Sequence, residues 1–491
     1  MRFTLTYLFL VLIFIVLQSP PLYGQADPLL RHQMVRAEPV PEKEVFGPSP
    51  LPDRINLTWR GDPATTQAVS WRTDTNEGRG FGQIAEAADG PFFWHETVWA
   101  KTQTLETNLG EANYHTVEFT DLDPGTKYMY RVGDGINWSE WFHFRTASDS
   151  PEPFTFVYWG DWQEDIKSQS SRIARQAYRD APNARFWTYA GDLVDNAHND
   201  GEWGEWFHAH GFISGMIPMI PVPGNHEWSG GELSVQWRPQ FALPTHGPEG
   251  AEEIVYYIDY QDVRIISLDS KLHRTMAREL HDELGDNADH TTSITRWLEE
   301  VLENNDQNWT IVVTHYPVFA SQPGRDNPEV REQWKSLFDE YQVDLVLQGH
   351  DHSYYRTGAH TFDYEYYYEN NEEGIDYFDP NSGTVYVSSM AGSKQRCMER
   401  ADWMARASED LQVYHIVYVD ADSIRFETKT ATGKLYDAFS IHKRPGQPNE
   451  IIEQIPGDVE EHLRDEYMRE ILPCTIRPWF YHERRFIYPP R

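Results

Sequence analysis

The fold of this chain is decided by residues 154–192, which read FTFVYWGDWQEDIKSQSSRIARQAYRDAPNARFWTYAGD. Apolar runs from Phe154 to Trp159 and from Phe186 to Ala190 predict two buried strands, and the stretch from Ile166 to Arg179 predicts a helix between them. This order is typical of parallel strands joined by a crossover helix. Each predicted strand is followed directly by Gly-Asp.

The alternation of strands and helices continues to about residue 350, and mostly strand patterns follow after residue 380. The later runs are Thr384 to Ser388, Val413 to Val419, Ser423 to Lys429 and Ala438 to His442. The sequence therefore predicts a mixed α/β domain over residues 148–445, in which antiparallel strands complete the second half.

Residues 51–147 carry a different pattern, in which short strand-like runs alternate with turn clusters. The runs are Arg54 to Trp59, Gln67 to Trp71, His115 to Phe119, Tyr128 to Val132 and Trp141 to Phe144. The stretch LDPGTKY at 122–128 resembles the tyrosine corner of fibronectin type III domains, where a tyrosine hydroxyl bonds back to the chain. An all-β, fibronectin III-like sandwich is therefore predicted ahead of the α/β domain.

The N-terminus predicts a signal peptide over residues 1–26. Arg2 precedes an apolar run, Leu5 to Leu17, that is too short for a comfortable membrane span. An uncleaved membrane anchor is the alternative interpretation. The Pro-rich residues 27–50 are predicted to be a linker. We expect a secreted or periplasmic protein without membrane attachment after signal cleavage, and the oligomeric state stays open.

The C-terminal residues 446–491 are predicted to form a tail with one helix, because an apolar residue recurs at every fourth position. These residues are Val459, Leu463, Tyr467 and Ile471. The two cysteines of the chain, Cys397 and Cys474, either form a disulfide that ties this tail to the main domain or remain free thiols.

The net charge argues against one class of function. A formal charge of −35 makes nucleic-acid binding a poor candidate, because an acidic surface repels phosphate backbones. The charge does not exclude a small phosphate ester as partner, since bound divalent cations would dominate the field at a local site.

Five short segments that follow predicted strands carry the residues suited to chemistry. They are GDWQ at 160–163, GDLVDN at 191–196, GNHE at 224–227, VTHYP at 313–317 and GHDH at 349–352. In open α/β sheets, ligands bind beyond the carboxyl ends of the strands, so we expect these segments to converge at one edge. Their carboxylates, imidazoles and amide suit iron, manganese or zinc.

These five segments, in this order, resemble the motifs of the calcineurin-like metallophosphoesterases and, within them, the purple acid phosphatases. The larger purple acid phosphatases also carry a fibronectin-like domain ahead of the catalytic one. The resemblance covers residues 51–445. It implies an α/β two-sheet sandwich flanked by helices and a cofactor of two metal ions, divalent or mixed-valence, drawn from iron, manganese and zinc.

The resemblance also implies seven site residues. These are Asp161 and His352 on the first metal, Asp192 between the two metals, Asn225, His315 and His350 on the second metal, and His226 as the catalytic group facing the leaving oxygen. The reaction that the resemblance implies is hydrolysis of a small-molecule phosphate monoester by in-line attack of metal-bound hydroxide. Phosphodiester hydrolysis or nucleotidase activity at the same metals is the alternative, and a non-catalytic binding or adhesion protein is a rival of another class.

Two positions depart from the family pattern. Asp195 stands where purple acid phosphatases place the metal-binding tyrosine that gives their colour, so we expect a protein that is not purple. Asp195 is either a carboxylate ligand of the first metal or a loop residue. Gln163 stands where related enzymes carry glycine or a ligand histidine, and its amide oxygen is a weak candidate ligand.

Two further features of the sequence can each be interpreted in two ways. Lys394, which follows Gly392 and Ser393, either meets the substrate phosphate or is an exposed lysine. The tyrosine-rich and acidic stretch from Tyr364 to Asp379 is either a lid that selects substrates or a solvated surface loop.

Overall fold

The structure is a computed structural model, and it describes residues 40–76, 78–285, 289–358, 361–362, 376–377, 383–444 and 446–476. The predicted signal peptide and most of the stretch from Tyr364 to Asp379 lie outside the described residues. The chain divides into two compact units, residues 1–45 and 46–491. The described part of the first unit, residues 40–45, begins helix α1 (Glu42–Phe46).

The N-terminal part of the second unit consists of two four-stranded antiparallel sheets. One sheet has the order β1 (Asp53–Thr58), β2 (Gln67–Thr73), β6 (Gly110–Phe119) and β5 (Lys101–Thr107). The other has the order β4 (Glu96–Trp99), β3 (Phe81–Glu86), β7 (Lys127–Gly133) and β8 (Phe142–Arg145). Leu57, Trp71 and Tyr130 are buried between the sheets. The all-β prediction for this region is confirmed, and the Tyr128 hydroxyl accepts a hydrogen bond from the backbone N–H of Asp123 at 2.9 Å.

The α/β part contains two seven-stranded sheets that share one buried apolar core. The first has the order β11 (Met219–Val222), β10 (Trp187–Ala190), β9 (Phe154–Trp159), β24 (Val413–Val419), β25 (Ser423–Thr430), β26 (Leu435–Arg444) and β27 (Gln447–Glu453). The second has the order β14 (Tyr256–Tyr260), β15 (Val263–Leu268), β16 (Trp309–Thr314), β17 (Leu345–Gln348), β21 (Val385–Ser388), β18 (Tyr354–Thr357) and β23 (Met404–Ser408).

Parallel and antiparallel strands are both present, as the sequence predicts. Strands β9, β10 and β11 are parallel to one another, and β15, β16, β17 and β21 are parallel in the second sheet. The short pairs are β12 (Trp228–Ser229) with β13 (Glu232–Leu233), β19 (Thr361–Phe362) with β20 (Asp376–Tyr377), and β22 (Gln395–Arg396) with β28 (Thr475–Ile476).

Helices cover the sheets. They are α2 (Ser171–Asp180), α3 (Asp200–His210), α4 (Trp237–Gln240), α5 (Ser270–Leu284), α6 (Ser293–Glu303), α7 (Pro328–Glu340) and α8 (Glu466–Ile471). The predicted helix from Ile166 begins as a π-helical turn, Ile166–Ser170, before α2. Helix α2 buries Ile173 and Ala177 and contacts β24. Within the described residues, none of these helices is both long and apolar enough to cross a membrane.

The C-terminal segment departs from its sequence pattern. Strand β27 pairs with β26, so the first sheet extends past the predicted domain boundary at residue 445. Helix α8 takes in Tyr467 and Ile471, whereas Val459 and Leu463 precede it. His462 instead forms a parallel bridge with Ser408. The backbone polar groups of this segment therefore find partners in and beside β23, and they do not need a helix to be hydrogen-bonded.

Cys397 and Cys474 form a disulfide, which decides the alternative that the sequence leaves open.

Candidate metal centre

The candidate site residues of the motifs lie in loops that follow parallel strands. Asp161 follows β9, Asp192 follows β10, and Asn225 follows β11 in the first sheet. His315 follows β16 and His350 follows β17 in the second sheet. The two sheets bring these loops together, as expected for the carboxyl ends of parallel strands.

Two glycines allow the loops to approach. Gly191 has a φ of +81°, and a Cβ atom on it would lie 2.7 Å from the Cα of Gly224. A Cβ atom on Gly224 would lie 2.3 Å from Oδ1 of Asp192. A side chain at either position would therefore push the Asp192 loop away from the Asn225 loop.

Four of the candidate ligands adopt strained backbone conformations. Asp161, Asp192, His350 and His352 have φ angles of 46°, 51°, 74° and 54°, in the left-handed region that non-glycine residues seldom occupy. Such conformations concentrate at functional sites, where the surrounding fold holds them in place.

One group of donors surrounds His315, and we call it the His315 group. The Nε2 atom of His315 lies 3.1 Å from Oδ1 of Asn225, 3.3 Å from Oδ2 of Asp192 and 3.2 Å from Nδ1 of His350. Its Nδ1 atom donates to the carbonyl of Ala190 at 2.8 Å, which leaves the Nε2 lone pair for a metal. Four donor atoms therefore converge on one point.

A second group consists of Asp161, Asp192 and His352, and we call it the His352 group. The Oδ1 atom of Asp161 is buried, has no hydrogen-bond partner among the described residues and lies 3.8 Å from Nε2 of His352. The Nδ1 atom of His352 donates to the carbonyl of Lys394 at 2.8 Å, so Nε2 carries the lone pair that could bind a metal. An unpartnered carboxylate oxygen facing an imidazole nitrogen fits a bound cation.

Asp192 belongs to both groups. The donor atoms of Asp192, His315 and His350 lie within 4.8 Å of one another, and so do those of Asp161, Asp192 and His352. A carboxylate shared by two donor groups is the arrangement that holds two metal ions about 3.5–4 Å apart.

Burial and the neighbouring charges together set the pKa values of these groups. Burial lowers the pKa values of His350 and His352 well below the ordinary value, so both rings are neutral and can bind a metal. Burial raises the pKa of Asp161 to about 7, against the effect of His315. Burial acts in the same direction on Asp192, but His315 and His226 outweigh it and hold the pKa of Asp192 below its usual range.

His226 lies at the open side of the centre. Its backbone N–H donates to Oδ1 of Asp192 at 2.9 Å, and its Nδ1 donates to the carbonyl of Asp195. Since a carbonyl only accepts, Nε2 is the atom left to act on a ligand, and it lies 3.9 Å from Oδ2 of Asp192. The side chain is 26% exposed, so it can reach a substrate.

The two departures from the family pattern meet at a lysine. Lys394 is 4% exposed, so the interpretation as an exposed lysine is wrong. Its Nζ atom lies 3.3 Å from Oε1 of Gln163 and 3.4 Å from Oδ1 of Asp195. The amide nitrogen of Gln163 faces Oδ2 of Asp192 and Nε2 of His352, each at 3.0 Å. Asp195 belongs to neither donor group among the described residues.

Glu227 has a structural role that the motifs alone do not predict. Its buried carboxylate accepts the backbone N–H groups of Asp192 at 3.0 Å, Leu193 at 2.9 Å and Gly224 at 2.6 Å. It therefore joins the loop that carries Asp192 to the loop that carries Asn225. The signal in the sequence is its position directly after Asn225 and His226, within one turn of the ligand.

Comparison with known proteins agrees with this geometry. The family model of the purple acid phosphatase N-terminal domain matches residues 52–146, and that of the calcineurin-like phosphoesterases matches residues 154–354. This chain is a purple acid phosphatase-like metallophosphoesterase. Phosphoester hydrolysis in this family depends on two metal ions, and the two donor groups described above suit them.

Several relatives of this metallophosphoesterase are curated proteins. Acid phosphatase type 7 of Danio rerio is 24% identical over 68% of this chain and 79% of the relative. The protein of the same name from Homo sapiens is 24% identical over 71% and 80%. Probable inactive purple acid phosphatase 1 of Arabidopsis thaliana is 23% identical over 67% of this chain and 57% of the relative.

Solved structures share the fold of this metallophosphoesterase. Purple acid phosphatase PPD1 from yellow lupin seeds (Lupinus luteus) aligns with a TM-score of 0.63 at 19% identity, over 81% of this chain and 75% of that one. PhoD aligns with a TM-score of 0.58 at 12% identity, over 86% and 96%.

Proposed function

We propose that this metallophosphoesterase hydrolyses phosphate monoesters of small molecules, with water as the nucleophile. The observation that carries the proposal is the sharing of Asp192 between two donor groups, with His226 beside them. Relatives include proteins named acid phosphatases and others named probable inactive, so the residues of this chain have to decide between them.

The metal ligands follow from the two groups. We propose that Asp161 and His352 hold the first metal, that Asn225, His315 and His350 hold the second, and that Asp192 bridges the pair. The metal pair, when bound, activates water near neutral pH and neutralises the charge of the phosphoryl group.

His226 is the proposed catalytic residue. Its Nδ1 is committed to the carbonyl of Asp195, which fixes the ring and aims Nε2 at the site. A protonated Nε2 would donate to the leaving oxygen or stabilise the charge that builds on it. His226 belongs to neither donor group among the described residues, so we propose that metal binding does not require it.

The surroundings of Lys394 support a pair of divalent ions. Asp195 lies beside the ammonium group of Lys394 and the ring of His226, so we propose that it does not ligate the first metal. Gln163 turns its amide oxygen to Lys394 and its nitrogen to the donors, so we propose that it positions them. Without a tyrosine at residue 195, no visible charge-transfer band is expected.

Export is part of the proposal. The disulfide between Cys397 and Cys474 supports a secreted or periplasmic location, because disulfides persist in oxidising compartments. Mass analysis of the mature N-terminus tests the cleavage that residues 1–26 predict.

The testing experiment is the rate of p-nitrophenyl phosphate hydrolysis by chelated protein before and after addition of manganese, zinc or iron. Turnover restored by metal supports the proposal and names the working metal. Restored turnover on bis(p-nitrophenyl) phosphate alone would favour the diesterase alternative. Bound metal without turnover on either ester would favour a binding protein.

A further inference from the structure

A cleft lies at the end of the first α/β sheet opposite to the metal centre. It is lined by residues 182–185, which lead into β10, by residues 216–218, which lead into β11, and by strand β8 of the β-sandwich. Because β10 and β11 are parallel and carry the metal centre at their other ends, the cleft is a separate site. Its volume of about 470 Å³ is typical of a small-molecule site.

The charge of the cleft is opposite to that of the protein. Lys127, Arg145 and Arg185 line it together with His143, and none of the described residues that line it is an aspartate or glutamate. The chain carries 77 acidic and 42 basic residues, so a surface taken at random would be acidic. A concave surface with three positively charged side chains is therefore unusual for a chain of this acidic composition.

The register of the β-sandwich places two of these cations face to face. Lys127 is the direct partner of Arg145 in the antiparallel pairing of β7 with β8. Like charges in directly opposed positions destabilise a sheet. Within the part of the chain that the structure describes, neither side chain forms an ion pair, and the same holds for Arg185. An anion between them would relieve the repulsion.

Arg145 and Arg185 line the same cleft. Burial raises the pKa of Tyr260 to about 12, and the charges of Arg185 and Arg145 both act against that rise. The carboxylate that acts on the same hydroxyl is Glu152, which does not line the cleft. The apolar side chains of Met216 and Ile217 form another part of the lining.

We propose that this cleft binds a small organic molecule with at least two negative charges and an apolar part. Guanidinium groups bind phosphate and carboxylate in a planar, two-pronged geometry, so Arg145 and Arg185 suit either anion. The apolar part of the ligand lies against Met216 and Ile217. The site is independent of the hydrolysis proposed above, because no residue is shared with the metal centre.

The test is isothermal titration of the full, metal-loaded chain with phenylphosphonate, isophthalate and inorganic phosphate. The variant Arg145→Ala with Arg185→Ala should bind one equivalent fewer of the preferred organic anion and keep the wild-type turnover. The matched control is Arg175→Ala with Arg179→Ala, which removes two exposed arginines from α2 outside the cleft and should bind as the wild type does.

The three anions separate the sources of the ligand. Loss of an equivalent for phenylphosphonate identifies an organic phosphate, and loss for isophthalate identifies a dicarboxylate. Binding of inorganic phosphate to the cleft as tightly as phenylphosphonate would contradict the role of Met216 and Ile217. A double variant that binds all three anions as the wild type does would overturn the proposal.

A second variant tests the repulsion directly. Lys127→Glu places a carboxylate opposite Arg145, so the thermal midpoint of the ligand-free protein should rise and the further rise caused by the organic anion should disappear. A lower thermal midpoint of the ligand-free variant, or an unchanged ligand-induced rise, would show that the repulsion between Lys127 and Arg145 does not favour binding of an anion.

Discussion

The His315 group and the His352 group are two halves of one centre, yet their surroundings differ. Around His315, the neighbours of Nε2 are an amide oxygen, a carboxylate oxygen and an imidazole nitrogen, all of which bind metals. Beside His352, an amide nitrogen lies 3.0 Å from Nε2, and the ammonium of Lys394 stands behind it. The His315 group is built of donors alone, whereas the His352 group has a neutral amide nitrogen and an ammonium group beside its donors.

From this difference we expect the two groups to bind metal ions with unequal affinity. We expect the His315 group to keep its ion under conditions in which the His352 group loses its own. Stepwise chelation with metal analysis after each step checks this expectation. Simultaneous loss of both ions would show that the bridge dominates and that the two halves act as one.

Asp192→Ala should have the largest effect, because it removes the one ligand that both halves share. The variant should lose both metals, and turnover should fall by more than the roughly 10²–10³-fold cost of one charge-stabilising contact. Elemental analysis checks it beside His315→Ala and His352→Ala, each of which should retain one ion. Retention of both ions by Asp192→Ala would contradict the bridging role.

His226→Ala should lower kcat by about 10²–10⁴-fold, the usual contribution of a general acid. Metal content should stay at the wild-type level, because the contact of His226 with Asp192 runs through the backbone N–H, which alanine keeps. His198→Ala, an exposed histidine in the preceding loop, is the matched control and should leave kcat unchanged. Loss of metal in His226→Ala would make the residue structural.

Glu227→Gln should weaken metal binding by about 10–100-fold, as for other groups that orient a ligand. The amide offers one acceptor oxygen where the carboxylate receives three backbone N–H groups. Titration with manganese measures the change, and Glu232→Gln on the exposed β12–β13 hairpin is the control. Equal affinity in both variants would mean that the glycines alone hold the loops.

Lys394→Met should have the smallest effect of these variants, and it should strengthen metal binding instead of weakening it. Removal of the ammonium group relieves its repulsion of a nearby cation, so the His352 group should bind its metal about tenfold more tightly. Lys394→Arg retains the charge and should bind as the wild type does. Weaker binding in Lys394→Met would show that the ammonium supports the site by holding Gln163.

Much of the α/β part is predictable from the sequence because its strands are buried on both faces. Strands β9 and β24 have the predicted bounds, Phe154–Trp159 and Val413–Val419, since continuous apolar runs leave little choice of register. The β-sandwich is harder to predict. Its strands β4 and β5 are largely exposed, and their polar residues give no clear period.

The candidate site also has residues that the sequence predicts and residues that it does not. The motif residues are readable because each follows an apolar strand, and the structure gathers all of them. The place of Lys394 is not readable, since its contacts with Gln163 and Asp195 span 231 and 199 residues along the chain. The pattern from Val459 to Ile471 predicts too long a helix, because its first half bonds to β23 and the loop that follows it.

The far end of the chain also reaches the metal centre. Strand β28 pairs with β22, and the residues around β22 hold His352 through the carbonyl of Lys394 and the N–H of Arg396. Cys397 follows β22 and Cys474 precedes β28, so the disulfide fixes this pairing covalently. Reduction of the disulfide would therefore loosen the support of a candidate ligand, which couples the His352 group to the redox state of its surroundings.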